Sequence, residues 1–393
     1  MNNRPKPTEP KQPLEDSRLH QILVATNRLQ DIPDRQVFAS MAFNAAAVFL
    51  LWSSRGLEQA LPVAGLTLLG SVAGWMIVNE LPRANLSFGP DKPSALALSV
   101  LIALIALMGS ALGVDSFAVA IPISLVLALA FYATHMEPFR LGVSEEALTV
   151  KGWDAAAPPV KLLHIGDIHV ERVTPREQRL NALIEAIQPD IIVFSGDFVN
   201  LSYTNDETAK QAIRDIVGAW RAPLGVYGVP GTPIVEPLPR VLAFVDGLNM
   251  QLLANRWVTV ETAAGLLHLL GMITTHDMAT DRAALAEKLK LTPSAPGLRM
   301  LLMHTPDVAP EAGASGQIDL YVCGHTHGGQ IRLPLIGAPF SSSHLGSRFI
   351  MGRYRVDDLT LYTTRGVGME GLGAPRARLL CPPEIVLWTL RGE

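Results

Sequence analysis

The sequence predicts an α/β domain attached to a region of four membrane-spanning helices. Three observations carry this: long apolar runs fill residues 37–136, strand-like and helix-like segments alternate from residue 159 onward, and aspartates and histidines recur where those strands end. The 393 residues are 49% hydrophobic and 17% charged, whereas a soluble domain carries about a quarter charged residues. The apolar excess is concentrated rather than spread. A net charge of −4 offers no basic face, so no nucleic-acid partner is expected. The two cysteines, Cys323 and Cys381, cannot build a disulfide framework and read as small buried hydrophobes.

Residues 1–36 form a polar tail rich in proline, with disorder expected at its start and a short surface helix over 15–29. No apolar run begins near the start, so no cleavable signal peptide is expected. The apolar runs cover 37–52, 61–78, 95–112 and 117–133, each near the lower limit of roughly 17 residues for a membrane-spanning helix. Arg55, Glu58, Glu80, Arg83, Asp91, Lys92 and Asp115 all sit in or beside connections. Trp52, Trp75 and Tyr132 lie near run ends, where an aromatic belt would place them. Gly65, Gly70 and Gly74 would let helix backbones approach closely. Lysine and arginine concentrate in the N-terminal tail, in the second connection (Arg83, Lys92) and after the fourth run (Arg140, Lys151). The positive-inside rule then puts both termini in the cytoplasm. The expectation is a multi-pass membrane protein with its C-terminal domain cytoplasmic and the bilayer as a partner.

Residues 137–158 read as a linker, and residues 159–393 as one domain. Strands are expected at 160–166, 190–195, 225–229, 251–260, 266–273 and 298–303, and helices at 175–187, 206–220, 239–248 and 281–289. The region from 330 on reads mostly as β, ending in a strand at 384–390.

Ligand chemistry in such folds collects at strand ends. The first strand ends in Asp167 and His169, the second in Gly196 and Asp197, a later one in His304, and the stretch YVCGHTHGGQ carries His325 and His327. In an extended segment residues i and i+2 point the same way, so each D-x-H or H-x-H pair can reach one point. Gly328 and Gly329 let the backbone stay close to a bound group. Any one pair is ordinarily a solvated loop feature; the same residue types at four strand ends are specific. Mixed Asp and His donors suit Mn, Fe, Zn or Ni better than Ca or Mg. Two such ions about 3.5–4 Å apart can share a bridging carboxylate.

At these residues the chain resembles the calcineurin-like metallophosphoesterases, whose pattern is D-x-H, G-D, G-N-H, a lone H, and G-H-x-H. Asp167 and His169 match the first, Gly196 and Asp197 the second, His304 the lone histidine, and Gly324, His325 and His327 the last. GHTHGGQIRLP and the membrane-anchored layout look most like the branch that includes bacterial envelope phosphodiesterases and UDP-2,3-diacylglucosamine pyrophosphohydrolases. The resemblance implies a bacterial inner membrane, and two β-sheets stacked face to face with helices outside. It implies one metal held by Asp167, His169, Asp197 and His327, and a second held by Asp197, His304 and His325, with Asp197 bridging. It implies a hydrolase acting on a phosphorylated substrate by in-line attack at phosphorus, with Asp197 and His325 contributing through metal binding. The tether at the bilayer favours a lipid- or nucleotide-linked phosphodiester or pyrophosphate.

The chain departs from the pattern at G-N-H, where it has Gly231, Thr232 and Pro233. The family's asparagine ligand is replaced by a neutral hydroxyl, and its histidine by a ring that donates nothing, so the second metal position is expected to be weakened. His276 follows a strand and is the candidate replacement donor, against the plainer expectation of a surface loop histidine. His164 is expected beside the site without taking part in it, and Arg332 either to contact a phosphate or lipid head group or to be a solvated loop arginine. The alternative is a catalytically impaired relative that keeps one metal and binds a phosphorylated ligand or a protein.

Overall fold

The computed structural model describes residues 18–393; residues 1–17 of the expected tail lie outside the described residues. A short helix α1 (Arg18–Asn27) precedes four long apolar elements. These are α2 (Asp34–Trp52), α3 (Leu57–Asn79), α4 (Lys92–Ala111) and α5 (Ala120–Phe131), the last led in by a 3-10 turn and continued by π and 3-10 turns to Phe139. All four are long and apolar enough to cross a membrane. Phe43, Leu50, Leu69, Leu104 and Leu125 stand exposed on their outer faces, as expected of helices whose surroundings are as apolar as their contacts. α3 packs against α2, α4 and α5.

Two details differ from expectation. Trp52 and Trp75 are buried between helices, not in a belt. Their indoles donate to the Ala106 carbonyl at 3.0 Å and to Asp91 Oδ2 at 2.6 Å, because a buried indole N–H needs a partner. Gly70 faces Ile102 and Ile123, and Gly74 faces Leu98 and Leu127, but among the described residues nothing approaches Gly65.

The C-terminal region is a sandwich of two six-stranded, largely parallel sheets. Its elements run β1 (Gly142–Val150), β2 (Val160–Ile165), α6 (Pro175–Ile187), β3 (Ile191–Phe194), α7 (Glu207–Gly218), β4 (Val226–Gly228), α8 (Leu238–Val245) and β5 (Gln251–Leu252). They continue with β6 (Arg256–Glu261), β7 (Leu266–Met272), α9 (Met278–Leu289), β8 (Leu298–Met303), α10 (Ala309–Ala314) and β9 (Leu320–Cys323). The last strands are β10 (Gly352–Val356), β11 (Leu359–Thr363) and β12 (Glu384–Gly392). One sheet has the order β1-β12-β2-β3-β4-β5 and the other β10-β11-β9-β8-β7-β6. Leu162, Val193 and Trp388 of the first meet Leu269, Met300 and Val322 of the second in the shared core. Helices α6 to α8 cover the outside of the first sheet, and α9 and α10 the outside of the second. Helix α6 starts with a full capping box: Thr174 and Glu177 satisfy each other's backbone N–H groups, and Pro175 stands at the first helical position.

Residues 142–150, expected inside a linker, are instead an edge strand that pairs in parallel with β12 in full register. The single strand expected over 251–260 is two strands in different sheets. Asn255, with φ of 50°, turns the chain from one sheet to the other. Between residues 330 and 383 the chain is more irregular than expected, with β10 and β11 its only regular strands among the described residues.

The helical region and the sandwich are joined by buried polar contacts. Glu171 accepts from Ser87 Oγ and Phe88 N, both at 2.8 Å, and pairs with Arg376 at 2.6 Å. Tyr203 donates to the Phe88 carbonyl, and Arg378 N donates to the Ala133 carbonyl at 2.8 Å. The connection from α3 to α4 and the end of α5 therefore both lie against the sandwich.

Candidate metal centre

The carboxyl ends of β2, β3, β8 and β9 meet at one edge of the sandwich and bring Asp167, His169, Asp197, His304, His325 and His327 together. All are buried. They fall into two overlapping groups whose ligand atoms lie within 4.8 Å of one another: Asp167, His169, Asp197 and His327, and Asp197, His304 and His325. Asp197 belongs to both.

The backbone differs from the extended pairs the sequence suggests. Asp167, His169, Asp197, His325 and His327 have φ of 50°, 39°, 62°, 71° and 50°. Left-handed backbone is uncommon for residues other than glycine and persists only where the surroundings hold it. Each strand ends in a sharp turn, and the turn, not the two-residue period, aims the side chains inward. A Cβ at Gly324 would collide with the Asp167 carboxylate, and one at Gly231 with Asp197, so the backbone must be bare at both positions.

Hydrogen bonds fix the rings. The His304 Nδ1 faces the Ser195 carbonyl at 2.8 Å, which leaves Nε2 pointing at Asp197 Oδ2 at 3.2 Å. The His325 Nε2 faces the Ser342 carbonyl at 3.2 Å, and its Nδ1 lies 3.2 Å from His304 Nε2. Carbonyl partners of this kind set which nitrogen is left free to bind a metal. His164 acts from behind: its Nε2 lies 3.0 Å from Ser195 Oγ, so it packs on the residue that orients His304.

The donor set fits divalent metal ions. The Nε2 atoms of His169 and His327 face each other at 2.9 Å, and His169 Nε2 lies 3.3 Å from Asp197 Oδ2. Among the described residues, the buried Asp167 Oδ2 has no hydrogen-bond partner. The unpartnered Asp167 Oδ2 and the facing imidazole nitrogens offer lone pairs in one buried space that a cation would satisfy. Charge follows the same geometry. Burial raises Asp167, and it reaches about 6 with Asp197 adding to the rise and His304 opposing it. Burial also works against Asp197, but His304 and His169 outweigh it and hold the carboxylate well below its usual range. Burial and the His304 charge push His325 down to about 3.

Thr232 stands where the resemblance places an asparagine. Its N–H donates to Asp197 Oδ1 at 2.7 Å, and its hydroxyl lies 3.3 Å from both Asp197 Oδ2 and His304 Nε2. It orients Asp197 but offers only a neutral oxygen. His276 is not a surface loop residue: it is 2% exposed, with its ring 4.8 Å from that of His325. Among the described residues neither of its ring nitrogens has a hydrogen-bond partner. Burial, then the His325 and His304 rings, hold it well below the usual imidazole range. His344 helps close the loop by meeting the His276 carbonyl at 2.9 Å. Arg332 donates to the Gly328 carbonyl at 3.0 Å.

Three residues supporting the site escaped sequence reasoning. Glu236 accepts from Phe198 N, Val199 N and Gly231 N at 2.5, 2.8 and 3.1 Å, tying the Asp197 turn to the Thr232 turn. Arg378, wholly buried, donates to the carbonyls of Arg365, Gly366, Gly368 and Cys381. Cys381 is more than a small hydrophobe, since its thiol donates to the His327 carbonyl at 3.2 Å. The only sequence signal for Arg378 is a charge placed among prolines and leucines in APRARLLCPP.

A two-sheet sandwich with this Asp–His cluster at its edge defines a metallophosphoesterase-type centre. The family model described as calcineurin-like phosphoesterase matches residues 160–231, and over this stretch the chain is similar to that family. It is 29% identical over 240 residues to phosphodiesterase YaeI of Escherichia coli (strain K12), covering 60% of this chain and 83% of that protein. It is 27% identical over 281 residues to the uncharacterized metallophosphoesterase YkuE of Bacillus subtilis (strain 168), covering 66% of this chain and 89% of that one.

Proposed function

We propose that the chain is a membrane-bound, metal-dependent phosphoesterase hydrolysing a phosphodiester or pyrophosphate bond of a lipid- or nucleotide-linked substrate. Its catalytic domain would lie on the cytoplasmic face of a bacterial inner membrane. The observation that carries this is the convergence of Asp167, His169, Asp197, His304, His325 and His327 into two groups that share Asp197. The kinship with a phosphodiesterase supports the reaction class. The four apolar helices support the membrane, and the lysine and arginine pattern supports its sidedness.

Asp167, His169, Asp197 and His327 would hold one divalent ion (Mn, Fe, Zn or Ni), and Asp197, His304 and His325 a second, more weakly. Ions bound there would supply Lewis-acid activation of water and neutralise charge developing at phosphorus. The chain's own residues prepare the site. Thr232 fixes the shared carboxylate, and the Ser195 and Ser342 carbonyls fix the His304 and His325 rings. His276, neutral and buried against His325, is the candidate hydrogen-bond donor to a phosphoryl oxygen in place of the donor that Pro233 lacks.

Pro233 also favours a second reading: a catalytically impaired protein that keeps the metal site and binds a phosphorylated ligand. Hydrolysis of bis(p-nitrophenyl) phosphate by the purified full chain separates the two. The expected outcome is metal-dependent turnover that Asp197→Ala abolishes. A folded, metal-loaded parent without turnover would favour the second reading.

A further inference from the structure

A cavity of about 370 Å³ lies where the apolar helices meet the sandwich, within the range of about 300–1,000 Å³ for small-molecule sites. Leu98 and Leu101 of α4 and Leu129 and Ala130 of α5 form one wall, and Ile331 and Leu379 of the sandwich the other. Leu101 and Leu129 are 43% and 41% exposed on the outer helix faces, whereas Ala133 and Ala377, deeper in, are buried. The cavity therefore opens where the helices would face lipid and ends against the sandwich.

Its lining selects hydrocarbon. The charged group in the wall, Arg376, is spent on Glu171 and on the carbonyls of Glu370, Leu372 and Ala374. Thr134 is likewise spent on the Ala130 carbonyl, which leaves the Ser94 hydroxyl in a wall otherwise made mostly of hydrocarbon, and burying a polar ligand against such a wall is costly. The far wall is close in sequence to the Asp–His cluster. Ile331 and Leu379 form a bridge, fastened by Leu379 N to the Gln330 carbonyl at 3.1 Å and Arg332 N to the Leu379 carbonyl at 2.9 Å. Ile331 follows His327 by four residues, a stretch that spans at most about 14 Å even fully extended.

We propose that this cavity holds an acyl chain of the substrate, a lipid phosphodiester that enters from the bilayer between α4 and α5 while its phosphate reaches the Asp–His cluster. The assignment rests on the phosphoesterase reading above and narrows it to substrates with a hydrocarbon tail. A tail seated beside Ile331 brings the reacting group within a few residues of His327 without the lipid leaving the membrane.

The test uses the full chain reconstituted in phosphatidylcholine vesicles. Phosphatidylcholine carrying a diazirine at one acyl end is photolysed and the labelled residues are mapped. Labels on Leu98, Ala130, Ile331 or Leu379, reduced by Ala130→Phe, are expected. Labels confined to outward residues such as Leu104 and Leu125, or unmoved by Ala130→Phe, would overturn the proposal. If Ala130→Phe does not fold, Leu98→Phe narrows the same cavity from α4, and mapping on the parent needs no variant. A second arm compares kcat/KM for hexadecyl and methyl p-nitrophenyl phosphate. Ala130→Phe should lower the hexadecyl-to-methyl ratio on the order of tenfold, the equivalent of about two buried methylenes. Labelling inside the cavity with that ratio unmoved would assign it to an ordinary bilayer lipid and overturn the substrate role. A parent that hydrolyses neither ester would fail the phosphoesterase reading instead, while the mapping still decides whether the cavity takes a hydrocarbon chain.

Discussion

Glu137, at the base of the last apolar helix, accepts the backbone N–H of Cys381 at 2.5 Å. Cys381 in turn donates its thiol to the carbonyl of His327 at 3.2 Å. Two hydrogen bonds thus join the end of the last apolar helix to a residue of the candidate metal centre. Both Glu137 and Cys381 are buried. A buried N–H left without an acceptor costs about 1–3 kcal/mol. Glu137→Ala is expected to lower stability by about that amount and to loosen metal retention at the His327 group. Glu137→Gln keeps an acceptor oxygen and should lose much less. Thermal unfolding in detergent, with metal content measured after dialysis, checks both. Equal behaviour of the two variants would mean that the carboxylate, not the hydrogen bond, matters.

The His304 ring gives a pH prediction. Burial alone would lower it, but the Asp197 and Asp167 carboxylates outweigh burial and push it up to about 9. In the metal-free protein that raised value contributes stability present in full below the ordinary imidazole value of 6.5 and lost as pH rises through about 9. A cation bound by Asp197, His304 and His325 must displace this proton. Affinity there should therefore climb as pH rises toward about 9, and binding at neutral pH should release about one proton per ion. Titration calorimetry of the metal-free chain in two buffers of different ionisation enthalpy measures the release. Identical apparent enthalpies in the two would show that the ring is already neutral.

Much of this site was legible because its residues follow strand ends marked by glycine. Asp167, Asp197 and His325 stand immediately after Gly166, Gly196 and Gly324, and the apolar runs before them identify the strands. The left-handed turns that aim these side chains were not legible, since nothing local distinguishes a turn from an extended end. The edge strand at 142–150 was hidden because its partner, β12, lies at the other end of the chain and its own residues are mostly half-exposed. His276 looked like a loop residue because its burial depends on His325 and His344, brought over it by distant sequence. Trp52 and Trp75 fit a belt by position along their helices, but the packing of α3 and α4 put them inside.

The contacts of the sandwich with the α3–α4 connection, through Glu171 and Phe88, and with the end of α5, through Ala133, require these segments to share one side of the helices. With lysine and arginine enriched there, that side is expected to be the cytoplasm. A reporter fused after Glu393 should be active only when it works in the cytoplasm. Activity of a periplasm-dependent reporter at the same position would reverse the orientation and place the metal centre outside.

The last prediction concerns the two replaced residues. Thr232 already holds Asp197 through its N–H and hydroxyl, so the loop is in place and only the side-chain chemistry is missing. The parent is expected to retain about one tight ion per chain, because four donors surround one position while three and a neutral hydroxyl surround the other. Thr232→Asn should raise occupancy of the second position more than turnover. Adding Pro233→His should restore a positioned donor and raise phosphodiesterase activity by about 10²-fold or more. Pro233 fixes its own φ near −65°, so metal content and thermal unfolding must first show that the double variant is folded and loaded. A loaded double variant no faster than the parent would mean that a donor is already present, and His276 is the buried ring with two unpaired nitrogens that could supply it. His276→Ala in the parent then decides: a fall of about 10²-fold in turnover with metal content unchanged identifies the donor. Turnover that does not move would leave a metal site that was never tuned for hydrolysis.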